Sequence, residues 1–310
     1  MQIYHTMTPV SGAKSCAVAL GYFDGVHCGH RMVLGSAVRY ASENGLAPAA
    51  FTFELPGNQT LKGGRILSPV QKHARIQSLG VEQYLEPPFE AFRELSPEHF
   101  VQKVLVECFR AKAVFCGNNF TFGARAAGNV EMLHTLCEPL GISVHIVPMA
   151  QYGAQAVSST RIRAALEEGR LDDANAMLGA PYAIDWPVTH GKGIGTSRLG
   201  TPTVNQNYPP DALQPCAGVY LTRIRIQDHW WPAATGIGRR PTVDDSANAA
   251  VTCETYVPDF AGDLYGTAPV LEFHRYLCPV RKFRTLEELS ALIRRAAEES
   301  KAYFAAQTVK

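Results

Sequence analysis

The spacing of apolar residues changes character once along this chain, near Pro181, and that change constrains the fold more than any other feature. Before it, strand-like runs alternate with stretches of helical spacing. Residues 17–20 are a short apolar run that stops at Gly21, and residues 30–43 then place apolar side chains at 33, 34, 37, 38 and 41, a helical period. Residues 47–53 read as a second strand, and residues 113–116 and 142–147 as further buried strands. Ser96, Pro97 and Glu98 form a helix start, opening a helix that buries Val101, Val104, Leu105 and Cys108. Residues 160–178 read as helical, in two pieces broken near Gly169. Alternation of this kind implies a parallel, Rossmann-like sheet covered on both faces.

After Pro181 the pattern shortens. Residues 219–224 and 250–256 alternate in runs rich in Val, Tyr, Thr and Ile, broken by Gly, Pro, Asn and Asp, which predicts an antiparallel barrel or sandwich. A last helix closes the chain, with Thr285 and Glu288 as a capping box and Leu286, Leu289, Ile293 and Ala297 as its stripe. The expected domains are residues 1–183, an α/β unit, and 184–310, an antiparallel β-barrel with a C-terminal helix. The length of 310 residues agrees with two domains.

Charge excludes one class of partner. With 29 Lys and Arg against 28 Asp and Glu, the net charge of +1 offers no broad cationic face, so nucleic acid is not expected as a partner. No stretch approaches the roughly 18 apolar residues of a membrane span, and no signal peptide opens the chain. The eight scattered cysteines form no C-x-x-C pair and read as reduced thiols of a cytoplasmic protein.

Two places carry chemistry. The first is residues 21–30, where Gly21, Phe23, Asp24 and Gly25 precede His27, Gly29 and His30. The segment follows a strand and precedes a helix, the position at which open parallel sheets bind ligands. Glycines let backbone approach a phosphate, a helix N-terminus beginning near His30 favours the anion, and two histidines three apart act as donors to growing phosphoryl charge. A glycine loop with two surface histidines would give the same letters. Ser158, Ser159, Thr160, Arg161 and Arg163 stand at another helix start and make an anion cradle, or a plain capped helix with a basic first turn. No P-loop, H-E-x-x-H, G-x-S-x-G or G-x-G-x-x-G pattern competes with them.

The second place is the glycine-rich run with Gly191, Lys192, Gly193 and Gly195, whose amides suit a polyphosphate. Thr203 and Asn205 follow and offer hard neutral oxygens that suit Mg²⁺ on a nucleotide, and Glu254 offers a carboxylate that can take a proton from an alcohol. A hairpin connection, turn residues and a solvated strand face are the ordinary alternatives.

Taken together these stretches resemble the prokaryotic bifunctional riboflavin kinase/FAD synthetase family over roughly residues 15–305. Residues 20–30, 117–123 and 157–163 resemble its H-x-G-H nucleotidylyltransferase half. Residues 191–205, 236–242, 254–255 and 262–266, with Lys282 and Phe283, resemble its kinase barrel. The resemblance implies phosphorylation of riboflavin by ATP to FMN in the barrel, and joining of FMN to AMP from a second ATP, releasing pyrophosphate, in the first half. It implies Glu254 as general base, Thr203 and Asn205 on Mg²⁺, and the loop from Gly191 on ATP phosphates. It also implies His27 and His30 on the α- and β-phosphates, Ser159, Thr160 and Arg163 on the triphosphate, and Asn119 near nucleotide or flavin. Gly236 replaces the family's usual Asn, and Cys278 a common Arg. Other readings follow from these letters, a flavin-binding regulator or single-activity member with one degenerate site, and another H-x-G-H nucleotidylyltransferase; consumption of ATP separates the regulator from an enzyme.

Overall fold

A computed structural model describes residues 1–10, 14–56, 63–190, 203–239, 251–279 and 286–308. The chain packs as two compact units, residues 1–61 with 69–159, and residues 62–68 with 160–310.

The first unit is built on six parallel strands: β1 (Gln2–Tyr4), β2 (Cys16–Leu20), β3 (Ala47–Phe51), β4 (Gln83–Leu85), β5 (Ala111–Gly117) and β6 (Ser143–Val147), in the order β1-β4-β3-β2-β5-β6. β2 and β3 are buried along their whole length, as their unbroken apolar runs require. Helix α1 (Cys28–Asn44) packs Val33, Leu34, Ala37 and Ala41 inward and ends on Gly45 in the left-handed region. Helix α2 (Pro69–Ser78) precedes β4. Helix α3 (Pro97–Phe100) is capped by Ser96, whose hydroxyl accepts from the His99 N–H, and runs on into a wider i→i+5 winding over Val101–Cys108. That winding buries the four residues expected of it, Val101, Val104, Leu105 and Cys108. Helix α4 (Val130–Cys137) precedes β6. β6 departs from the expected buried strand. It is the sheet's edge, so only Val147 is fully buried and Ile146 is exposed. A small hairpin, β7 (Gln151–Tyr152) and β8 (Gln155–Ala156), follows.

Helices α5 (Ser159–Glu167) and α6 (Leu171–Leu178) are the two expected pieces, parted at Gly169 with φ +76°. Beyond Ser159 they pack with the second unit. Asn175 fastens α6 there: its Nδ2 donates to the Phe273 carbonyl at 2.9 Å and its Oδ1 accepts from the Tyr182 N–H at 2.7 Å. The compact units thus part upstream of residue 183, because α6 buries its apolar side on later strands. Segment 62–68 joins the same unit through an Arg65–Asp211 ion pair of 2.9 Å and a Ser68–Asp185 hydrogen bond of 2.9 Å.

The second unit is a curled antiparallel half-barrel of seven strands: β9 (Tyr182–Ile184), β10 (Val188–Thr189), β11 (Thr203–Asn207), β12 (Gly218–Ile226), β13 (His229–Arg239), β14 (Val251–Tyr256) and β15 (Leu271–Pro279), in the order β10-β11-β14-β13-β12-β15-β9. Thr222, Thr235 and Thr255 form a buried hydroxyl ladder across three strands, at 2.8 and 2.9 Å. Helix α7 (Leu286–Thr308) packs Ala296 and Ala297 against Val219 and Ala234. None of the eight cysteines is joined in a disulfide, and among the described residues no helix is long and apolar enough to cross a membrane.

Candidate active sites

The strand order of the parallel sheet reverses at β2, with β3 on one side and β5 on the other. Open parallel sheets bind ligands at such a reversal, beyond the carboxyl ends of the strands, and here the loop 21–27 and the turn that carries Asn119 follow β2 and β5. Asn119 is exposed there.

The loop is tightly specified. Phe23, Gly25 and Val26 all have positive φ, at +56°, +83° and +43°, and both non-glycine residues hold that strained backbone because their side chains are buried. A Cβ on Gly21 would stand 2.8 Å from the Phe23 ring, which explains the glycine. Asp24 is buried, and its carbonyl accepts from the Ser159 hydroxyl at 2.9 Å.

The helix start differs from expectation by two residues. α1 begins at Cys28 because His27 caps it, Nδ1 accepting from the His30 N–H at 3.3 Å. That bond leaves the imidazole proton of His27 on Nε2. The rings of His27 and His30 stack with centroids 3.6 Å apart. Gly29 makes the stack possible, since a Cβ there would lie 3.2 Å from His27 Cε1.

Burial lowers the His27 pKa to about 4. Burial, then the nearness of His27 and Lys72, holds His30 well below its usual value. Both are therefore neutral N–H donors at neutral pH. Among the described residues His30 Nδ1 has no hydrogen-bond partner, and a buried polar atom left so is costly. His27 should show no NMR titration between pH 8 and 5; a midpoint near 6.5 would contradict the buried pair. Stability carries the matching sign. An unfolded histidine takes up its proton near pH 6.5 and folded His27 only near 4, so stability is full above 6.5 and declines as pH falls toward 4.

The predicted cradle is placed unevenly. Ser158 and Ser159 belong to the first unit, and Thr160, Arg161 and Arg163 to the second. Arg163 is buried and its Nε donates to the Gly64 carbonyl at 2.9 Å.

In the half-barrel, Asn205 pairs with Glu254 across β11 and β14, Glu254 with Gly236 across β14 and β13, Gly236 with Val219, and Val219 with Cys278. Cross-strand partners share a face. One transverse row thus holds a predicted metal ligand, the predicted base and two residues, Gly236 and Cys278, that depart from the family pattern. Thr203 stands two residues from Asn205, on the same face, opposite Tyr256. The row changes from polar at Asn205 and Glu254 to apolar at Val219 and Cys278, where Ala296 and Ala297 of α7 cover it. The oxygens of Thr203 and Asn205, with a carboxylate beside them, fit Mg²⁺ that also holds phosphates. A cleft of about 900 Å³ opens between the β12–β13 hairpin and the loop after β14, lined by Arg225, His229, Trp231, Phe260 and Asp263. Gly191, Lys192, Gly193 and Gly195 lie outside the described residues.

Comparison with known proteins agrees with this layout. A family model described as FAD synthetase matches residues 10–161, and one described as riboflavin kinase matches residues 178–304. The bifunctional riboflavin kinase/FMN adenylyltransferase of Listeria monocytogenes is 32% identical, over 93% of this chain and 92% of its own. The chain belongs to the bifunctional riboflavin kinase/FMN adenylyltransferase family. The family member from Bacillus subtilis is 30% identical over 97% of this chain and 96% of its own, and that from Escherichia coli K12 is 29% identical over 94% and 93%. A crystal structure described as a macrolide-efflux protein from Streptococcus pneumoniae superposes with a TM-score of 0.84 at 26% identity, covering 97% of this chain and 98% of that one.

One group near the family's first site escapes a reading of the sequence. Lys72, His73, Tyr84 and Glu86 form a buried cluster beside Tyr22. Its only signal is an acid, Glu86, directly after the apolar strand β4.

Proposed function

We propose that this chain phosphorylates riboflavin to FMN and adenylylates FMN to FAD, with residues 184–310 as the riboflavin kinase domain and residues 1–183 as the FMN adenylyltransferase domain. The observation that carries the reading is the pair of family matches in order along one chain, each falling on a unit with its own cluster of polar residues.

In the barrel, Glu254 takes the proton of the riboflavin 5′-hydroxyl as its oxygen attacks the γ-phosphorus of ATP, and ADP leaves. Thr203 and Asn205 hold Mg²⁺, which supplies neutralisation of phosphate charge. Gly191, Lys192, Gly193 and Gly195 wrap the ATP phosphates. The support is the adjacency of Asn205 and Glu254.

In the α/β domain an FMN phosphate oxygen attacks the α-phosphorus of a second ATP. The bond to the β-phosphate breaks, and pyrophosphate leaves with its electron pair. FMN arrives as an anion, so no strong base is needed. His27 and His30 donate to the phosphate charge. The orphaned Nδ1 of His30 supports this, since a phosphate oxygen supplies the partner it lacks. Gly21, Phe23, Asp24 and Gly25 shape the loop, Asn119 meets nucleotide or flavin, and Ser158, Ser159, Thr160, Arg161 and Arg163 serve the triphosphate. On this reading the partners are small molecules, not nucleic acid or membrane, and the enzyme works in the cytoplasm.

Incubation with riboflavin, ATP and Mg²⁺, followed by separation of flavins, tests the reading. FMN and FAD together are expected. Flavin binding without ATP consumption would favour a regulator instead.

A further inference from the structure

Glu86 brings a buried negative charge to the carboxyl end of the parallel sheet. It follows β4 and is 7% exposed. Three donors converge on its carboxylate: Lys72 Nζ at 3.0 Å and the Tyr84 hydroxyl at 3.1 Å on Oε1, and His73 Nε2 at 2.6 Å on Oε2. Burial pushes the carboxyl pKa up, but the His73 bond and the Lys72 ammonium outweigh it and hold it at about 2. A buried ion pair of this kind adds little net stability over an apolar pair of the same volume.

The pair is placed where substrate chemistry is expected. Lys72 Nζ also lies 3.4 Å from Thr52 Oγ1, and that hydroxyl donates to the Tyr22 carbonyl at 2.9 Å. The ammonium stands 5.2 Å from the centroid of the Tyr22 ring. Tyr22, Thr52 and Glu86 follow β2, β3 and β4, so one cation gathers the carboxyl ends of three adjacent parallel strands. Tyr22 leads directly into Phe23, whose ring meets that of His30 edge-on at 5.4 Å. The charge is felt at His30, where it helps keep the imidazole neutral. Because both loop histidines are neutral, they bring donors to the phosphates but no net charge. Lys72 brings an ammonium, the positive end of its ion pair with Glu86.

We propose that Lys72 is a further substrate-binding residue of the adenylyl-transfer site, setting a fixed positive charge against a substrate phosphate, and that Glu86 is the positioning residue that aims it. The proposal rests on the adenylyltransferase reading above. An anionic FMN must approach an anionic ATP, and an ammonium held at the strand ends lowers that repulsion. Lysine suits the role as a point charge without the two-pronged geometry of arginine.

The full-length chain is tested as Lys72→Met, as Glu86→Gln, and as the double variant Lys72→Met with Glu86→Leu. The double variant removes both members of the Lys72–Glu86 ion pair together, leaving only the His73 imidazole and the Tyr84 hydroxyl without their acceptor. FMN adenylylation and riboflavin phosphorylation are measured on the same preparations, with a thermal melt. The double variant is expected to lose about 10- to 100-fold in kcat/KM for FMN adenylylation, mainly through a raised KM for FMN or ATP. Its riboflavin phosphorylation stays at the wild-type value; its melt falls modestly because the Tyr84 hydroxyl and His73 Nε2 lose their acceptor, so the split between KM and kcat, and not the melt, reads the binding role. Glu86→Gln is expected to raise the same KM by a smaller factor. A double variant within about threefold of wild type, or one whose loss sits wholly in kcat, would overturn the proposal alone. A wild-type chain that makes FMN but no FAD would instead overturn the adenylyltransferase reading, and this proposal with it.

Discussion

Glu254→Ala is expected to remove FMN formation, by about 10²–10⁴-fold, while conversion of supplied FMN to FAD continues. Under the proposed assignment this carboxylate is the general base, and alanine leaves nothing else at that point of the row. Its neighbours across the strands are Asn205 on one side and Gly236 on the other, and the glycine has no side chain to substitute for it. Among the described residues, a Cβ on Gly236 would meet nothing closer than the Glu254 carbonyl, at 4.0 Å. Glu254 is only half-buried on its strand, and its loss should spare the fold. Riboflavin phosphorylation retained in the variant would refute Glu254 as the base.

His30→Ala should do the converse, lowering FAD formation by roughly 10²-fold or more and sparing FMN formation. The substitution deletes an imidazole whose Nδ1 is buried with no partner among the described residues, and it removes the ring on which His27 stacks. The backbone N–H of residue 30 still reaches His27 Nδ1, so the helix cap survives. The loss is therefore of transition-state stabilisation and not of the loop. Flavin chromatography after incubation with riboflavin and ATP reads both products in one run. Equal loss of FMN and FAD would contradict two independent sites.

Much of the fold is legible in the sequence wherever a period persists over several residues. The strand, glycine loop and helix of residues 17–44, the break at Gly169 and the change of pattern after Pro181 all follow from spacing and from glycine. Strand order is another matter. The apolar run of β6 reads like that of β2, yet one is an edge and the other is central, because position in a sheet is set by chain crossings that leave no local mark. The cap of α1 is hidden for a chemical reason: a histidine takes a role usually filled by Ser, Thr, Asp or Asn. The barrel row brings together residues as distant as Asn205 and Cys278 through four pairings that only the register reveals. Glu86 and Lys72 stand on different elements, and neither carries a motif.

The attachment of α6 to the later strands bears on how the chain can be divided. A fragment ended at residue 183 would keep α6 but lose β15. Helix α6 would lose its packing against that strand, and Asn175 would lose the Phe273 carbonyl. A fragment ended at Ser159 would instead cut α5 at its first residue. The first cut strips α6 of its partner strand, and the second removes Thr160, Arg161 and Arg163 of the proposed cradle. Dissecting the two chemistries is better done by point substitution in the intact chain than by truncation, and a sticky or insoluble N-terminal fragment would report a bared helix face, not a defect in adenylyl transfer.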